Sequence, residues 1–163
     1  MTTNAVYLKA GAATQFTQSS GDVVFTLDDT VDTVAGWCSA QWDRTGGAAK
    51  PCLYKWEMHI KWVATPVLGE VIRLYLYDAQ SGNAAADLIA DAVVTPETKF
   101  GNFRLLGQCV VTVAADQVFY ATGLCVITGR YVNIGVWNAS TKDLNATDNV
   151  SHIIFTEMYD DIQ

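Results

Sequence analysis

The chain predicts an all-β domain: an antiparallel two-sheet sandwich, jelly-roll-like, with about eight strands. Two observations predict it. From Tyr54 to Trp62 the large apolar residues Tyr54, Trp56, Met58, Ile60 and Trp62 alternate with Lys55, Glu57, His59 and Lys61. A period of two over that length fits a half-buried strand with one packed face and one wet face, and has no place on a helix. The second observation is recurrence. Short segments rich in β-branched and aromatic residues follow one another along the chain, with turn residues between them.

Taken in order, the first twenty residues are rich in Thr, Ala, Gln and Ser and read as an N-terminal arm or an edge strand, ahead of one sandwich domain over 21–163. A short strand is expected there at 6–9 or at 15–17. Further strands are expected at 23–27, 39–43 and 53–63, the last being the alternating segment. Ile72, Leu74 and Leu76 mark a strand over 71–77, and Cys109, Val111 and Val113 mark one over 103–113. Gly129 separates strands expected at 123–128 and 131–137, the second carrying Val132, Ile134 and Val136 on one face. Ile153 and Phe155 place the last strand at 152–158. Gly46-Gly47, the stretch from Pro66 to Gly69, and Ser81-Gly82-Asn83 supply turn chemistry. The longest connection spans 78–102. Within it 84–90 has the composition of a short helix, and Thr95, Pro96 and Glu97 read as a helix cap followed by proline at the first helical position. So long a connection in a small domain is a decorated crossover or a functional loop.

A chain of 163 residues fits one domain. At this size folding removes roughly 68–70% of the unfolded surface from water, enough for a core without staples. Half of the residues are hydrophobic and 17% are charged, which excludes a disordered chain. Ten basic residues against seventeen acidic ones give a net charge of −7, and no Lys/Arg cluster offsets it, so nucleic acid is not an expected partner. No apolar run has the length of a signal peptide or a membrane span. The expectation is a protein made in the cytoplasm without a cleavable address, and with no membrane partner.

Candidate chemistry is sparse. The four cysteines, Cys38, Cys52, Cys109 and Cys125, make no Cys-x-x-Cys pair, so zinc-ribbon and redox readings lack support and buried thiols are expected. Asp28, Asp29 and Asp32 begin like a calcium loop, but Thr33 stands where the tight-turn glycine belongs and Ser39 where the bidentate Glu belongs. His59 and His152 are far apart in sequence and can meet in a sheet, though neither has a local metal-ligand spacing. The Gly-x-Ser-x-Gly turn, the P-loop and the dinucleotide fingerprint are all missing from the sequence, so neither an enzyme nor a cofactor is expected. Among the five tryptophans, Trp56 and Trp62 belong to the apolar face of their strand, whereas Trp37, Trp42 and Trp137 are open to a sugar-stacking role.

Two groups of segments then bear a family likeness. The first is SAQWDR at 39–44, LYKW at 53–56 and ATPVLGEVIRLY at 64–75. The second is GRYV at 129–132 and VWNA at 136–139, ending in the acidic YDDIQ at 159–163. Together they resemble the small virion structural proteins of tailed bacteriophages, of the jelly-roll capsid decoration (cement) kind. The likeness extends over most of 20–163 as a pattern of strands and turns. It implies a protein that binds the outer surface of the capsid and stabilises it without catalysis, so that its partners are the major capsid protein and other copies of itself, as a trimer. Val6, Tyr7, Leu8 and Phe16 are then the candidate capsid anchors of the arm, with an edge strand of the protein's own sandwich as the other reading. Asp78, Asn83, Asp87 and Thr95 are the candidate inter-copy residues of the long connection. A tail, neck or fibre component of the virion is the alternative within the same class, and a carbohydrate-binding module the alternative outside it.

Overall fold

The computed structural model describes residues 6–27, 35–44, 52–79, 92–94, 97–140, 142–145, 147 and 149–162. They form the strands β1 (Val6–Thr17), β2 (Val23–Val24), β3 (Ala35–Cys38), β4 (Trp42–Asp43), β5 (Cys52–Ile60), β6 (Val71–Ala79), β7 (Ala92–Val94), β8 (Arg104–Val110), β9 (Phe119–Ile127), β10 (Tyr131–Asn138) and β11 (His152–Ile162), with a 3₁₀ turn at Glu97–Phe100. The first sheet has the order β2-β1-β11-β5-β9 and the second β7-β3-β10-β6-β8, with β4 also pairing with β10. Strands remote in sequence lie side by side, as β1 with β11, β11 with β5, and β3 with β10. The chain wraps back and forth between the two sheets, and the fold is a jelly roll.

The alternation in β5 has the consequence expected of it. Tyr54, Trp56, Met58 and Ile60 are buried, while Lys55, Glu57 and His59 between them are half-buried on the other face. Ile72, Leu74 and Leu76 of β6 close the core from the second sheet, together with Val132, Ile134 and Val136 of β10. Trp56 reaches across the sandwich. A Cβ on Gly123 of the neighbouring β9 would stand 2.7 Å from its indole, and one on Gly107 of β8, in the opposite sheet, 2.6 Å. These glycines form a slot that any side chain would fill, and the indole fills it instead.

A second, smaller cluster covers the outer face of the second sheet. Phe100 lies flat on Tyr75 with ring centroids 5.1 Å apart, and packs edge-on against Phe103 at 5.3 Å. A Cβ on Gly135 would stand 2.3 Å from the Phe100 ring and one on Gly36 2.8 Å, so both glycines leave a notch for it. Glu97 fastens the same turn, accepting from Arg73 Nη1 at 2.8 and 3.0 Å and from the Tyr75 hydroxyl at 2.6 Å. Burial first, and then the Glu97 carboxylate, push the Tyr75 hydroxyl up to about 12.

Several boundaries differ from the sequence expectation, for local reasons. Of the strand expected at 39–43 only Trp42–Asp43 is regular, as β4, and the longer strand β3 precedes it at Ala35–Cys38. Ser39 still donates its N–H to the Ile134 carbonyl of β10, but Ala40 turns its N–H to Val24 of the other sheet, both at 2.9 Å. The strand expected at 23–27 is regular only at Val23–Val24, although Phe25 and Leu27 are buried. The two short alternatives at 6–9 and 15–17 are ends of one strand, β1, whose register on β11 shifts between Ala10 and Ala13. β7 was not anticipated. A 3₁₀ turn begins at Glu97, while Thr95 and Pro96 of the expected cap lie outside the described residues. The acidic run at 28–32, Gly46-Gly47, Ser81 to Asn83 and the helix expected at 84–90 lie outside the described residues.

Candidate interaction surfaces

Of the four arm anchors, Phe16 needs correction. It is fully buried, its ring centroid 5.7 Å from those of Trp42 and Phe155, so it holds β1 in this chain's own core and is not available to a partner. Val6, Tyr7 and Leu8 pair with Ile162, Asp161 and Asp160 of β11. Leu8 is half exposed. The segment is thus an edge strand of the sandwich for its described length. β2 covers β1 only at Phe16 and Thr17. At Gln15 both backbone groups face away from β11, the N–H donating to Asp22 Oδ2 at 2.8 Å and the carbonyl accepting from the Asp22 N–H at 2.9 Å. By the alternation of an antiparallel ladder, Ala13 faces the same way. Ala10 does so too, because Met158 opposite it stays in phase with Ile154 opposite Gln15. Beyond β2 the outward edge of β1 is unpaired among the described residues.

Asp78 also needs correction as an inter-copy residue. Its Oδ2 accepts from Thr128 N–H, Thr128 Oγ1 and Gly129 N–H, each at 2.8 Å, so its carboxylate is committed to the β9–β10 turn. Burial alone would raise its pKa. The bonds from Gly129 and Thr128, with Arg104 nearby, outweigh burial and hold the carboxyl below its usual range. Asn83, Asp87 and Thr95 lie outside the described residues. The described part of the long connection is no free loop: β7 pairs with β3, and Phe100 is buried in the notch above the second sheet.

The outer face of the first sheet carries a pattern that single strands do not reveal. Cross-strand register aligns its residues in four rows. The first row is Ala10, Met158, Leu53 and Val126. The second is Ala13, Thr156, Lys55 and Leu124. The third is Gln15, Ile154, Glu57 and Thr122, and the fourth is His152, His59 and Tyr120. Only Lys55 and Glu57 carry formal charge, and they pair with each other at 2.9 Å. Tyr120 is 67% exposed, Leu124 58% and Val126 45%. β5 by itself shows Lys55, Glu57 and His59 and looks like a wet face; its neighbours make the surface largely apolar.

The sheet brings the two histidines together, His59 and His152 lying 4.3 Å apart between ring centroids with Tyr120 on the far side of His59 at 4.7 Å. Burial lowers both pKa values. Glu57 opposes the shift at His59, the neighbouring His59 adds to it at His152, and the Asn149 backbone opposes it there. Among the described residues no third metal-ligating side chain joins them. All four cysteines are free thiols, and burial pushes Cys109 and Cys125 up to about 11, which keeps them protonated and inert. The structure places the three tryptophans that were open to a sugar-stacking role in different surroundings. Trp37 and Trp137 are buried, and the partly buried Trp42 packs at right angles against Phe16 and Tyr54.

No family model and no curated protein matches the chain. Among solved structures it is similar to the Eiger TNF from S. frugiperda, at 11% identity and a TM-score of 0.44, covering 70% of this chain. The chain spans 64% of that protein's length. It is also similar to murine APRIL at pH 8.5, at 9% identity and a TM-score of 0.43, covering 89% of this chain and 97% of the other.

Proposed function

We propose that this chain is a structural protein of a tailed-bacteriophage virion that binds the outer surface of the capsid and stabilises it, acting by attachment and without a catalytic step or cofactor. Its partners on this reading are the major capsid protein and further copies of itself in a trimer. The sequence likeness to decoration proteins motivates the reading, and one observation supports how it would work: the unpaired outward edge of β1 on a body made stiff by two packed sheets. A shell under internal pressure fails where its subunits meet. A protein that binds the assembled shell and not the separated subunits stabilises the shell by mass action. Many modest contacts suffice, because symmetry repeats each one. An open strand edge adds affinity through backbone hydrogen bonds when an extended segment of the shell pairs with it.

The edge contact is testable without disturbing the core. Ala10 aims its N–H outward, so Ala10→Pro removes a donor that β11 does not use, and proline is tolerated on edge strands. The variant is expected to keep the wild-type melting temperature within about 2 °C while binding to shells stripped of accessory proteins falls about tenfold, roughly 1.4 kcal/mol. Undiminished binding to such shells by the folded variant would remove the β1 edge from the proposal.

A further inference from the structure

We infer that the outer face of the first sheet, the four rows that run from Ala10 to Val126 and from His152 to Tyr120, is where copies of this chain meet. The inference names the surface for the self-association part of the reading above, and it stands or falls whether or not the assembly sits on a capsid.

Three features of the face point to another copy as its occupant. The first is charge. The chain carries −7, but among the described residues of these four rows Lys55 and Glu57 are the only formal charges and they cancel. Two copies that approach through any acidic surface repel each other, whereas two neutral faces do not. The second is composition. Met158, Leu53, Val126 and Leu124 form one contiguous apolar patch across β11, β5 and β9, and Ile154 and Tyr120 extend it beyond the threonines Thr156 and Thr122 and the self-paired Lys55–Glu57. Scattered apolar residues are normal on a surface, but a contiguous field rimmed by polar groups marks an interaction site. A polar rim is present at one end, where the Lys61–Asp116 pair at 3.3 Å lies beyond the histidine row. The third is size. Four strands about 4.8 Å apart and four rows about 6.8 Å apart cover about 500 Å² of flat sheet before side-chain relief is counted. That is within reach of the roughly 800 Å² per partner of a standard interface once the relief and rim are included.

The test uses the full chain in solution. Sedimentation velocity over a concentration series is expected to give the wild type a mass that is an integral multiple of 17.7 kDa. Leu124→Glu, at a strand position that is more than half exposed, is expected to drop the mass to 17.7 kDa with its β-sheet circular dichroism unchanged. Leu68→Glu, equally exposed on the β5–β6 turn, is expected to leave the multiple intact. A monomeric wild type, an oligomeric Leu124→Glu protein or a monomeric Leu68→Glu protein would each overturn the inference. Hydroxyl-radical footprinting of the wild type reads the same surface without a variant. Labelling of Tyr120, Leu124 and Met158 is expected to fall as protein concentration rises, while that of Val67 and Leu68 stays constant, and no fall at the first three would overturn the inference. Oligomers that use this face but are missing from phage particles would sink the capsid reading and leave this one standing.

Discussion

Replacing Trp56 with alanine is expected to lower the unfolding free energy by about 3–5 kcal/mol, the usual range for truncating a large buried aromatic. The indole is the piece that spans the sandwich, from β5 in the first sheet to the Gly107 slot in the second. The slot walls at Gly107 and Gly123 carry no side chain that could swing into the vacated space. At roughly 2–4 °C per kcal/mol for a chain of this size, the melting temperature falls by about 6–20 °C. The reciprocal change has the same sign. Gly107→Val places branched carbons where the indole stands and forces one sheet to yield. A calorimetric melt checks both, and a shift below about 2 °C for Trp56→Ala would mean that the indole does not bridge the sheets.

Phe100→Ala is expected to cost about 3–4 kcal/mol, but in a different part of the molecule. Phe100 anchors the 3₁₀ turn in the notch made by Gly36 and Gly135 and stacks on Tyr75. Its loss frees the layer that covers the second sheet and leaves the main core between the sheets untouched. Amide exchange is therefore expected to speed up over Glu97–Phe100, while β5 and β11 keep their protection. Uniform loss of protection throughout the chain would contradict the separation into two clusters. Glu97, bonded to Arg73 and Tyr75, is a weaker fastening of the same turn, since the Arg73 and Glu97 side chains are each about one-third exposed and their ion pair is screened by solvent.

How much of this was legible beforehand depends on the range of the interaction concerned. The β5 alternation is a local property, and it gave a strand with Trp56 buried, though the strand ends at Ile60 and the equally buried Trp62 lies beyond it. Ile72, Leu74 and Leu76, and Val132, Ile134 and Val136, were readable in the same way. Gly107 and Gly123 were not, because their meaning lies in a contact with an indole remote in sequence. Phe16 misled for a related reason. The polar stretch around it suggests an arm, and only the pairing of Phe16 with Ile153 of β11 shows that it is core. Asp78 looked like a loop residue free to meet a neighbour, yet three hydrogen bonds from a turn about fifty positions away occupy it. The apolar outer face of the first sheet is the plainest case. Leu53, Met158 and Val126 fall on three different strands, and only cross-strand register makes them one surface. Pairing partners are not encoded in local periodicity, so such surfaces stay hidden until the topology is known.

The edge of β1, the neutral sheet face and the stiff two-sheet body bear on one central claim, that the protein coats a capsid in many copies. The most direct measurement is its copy number in purified phage particles, from a stained gel calibrated against the major shell protein. The account predicts about one copy per shell subunit, or one per few, as the symmetry of a decorated shell requires. A handful of copies per particle would place the chain in the tail or neck, and its absence from the particle would contradict the account outright.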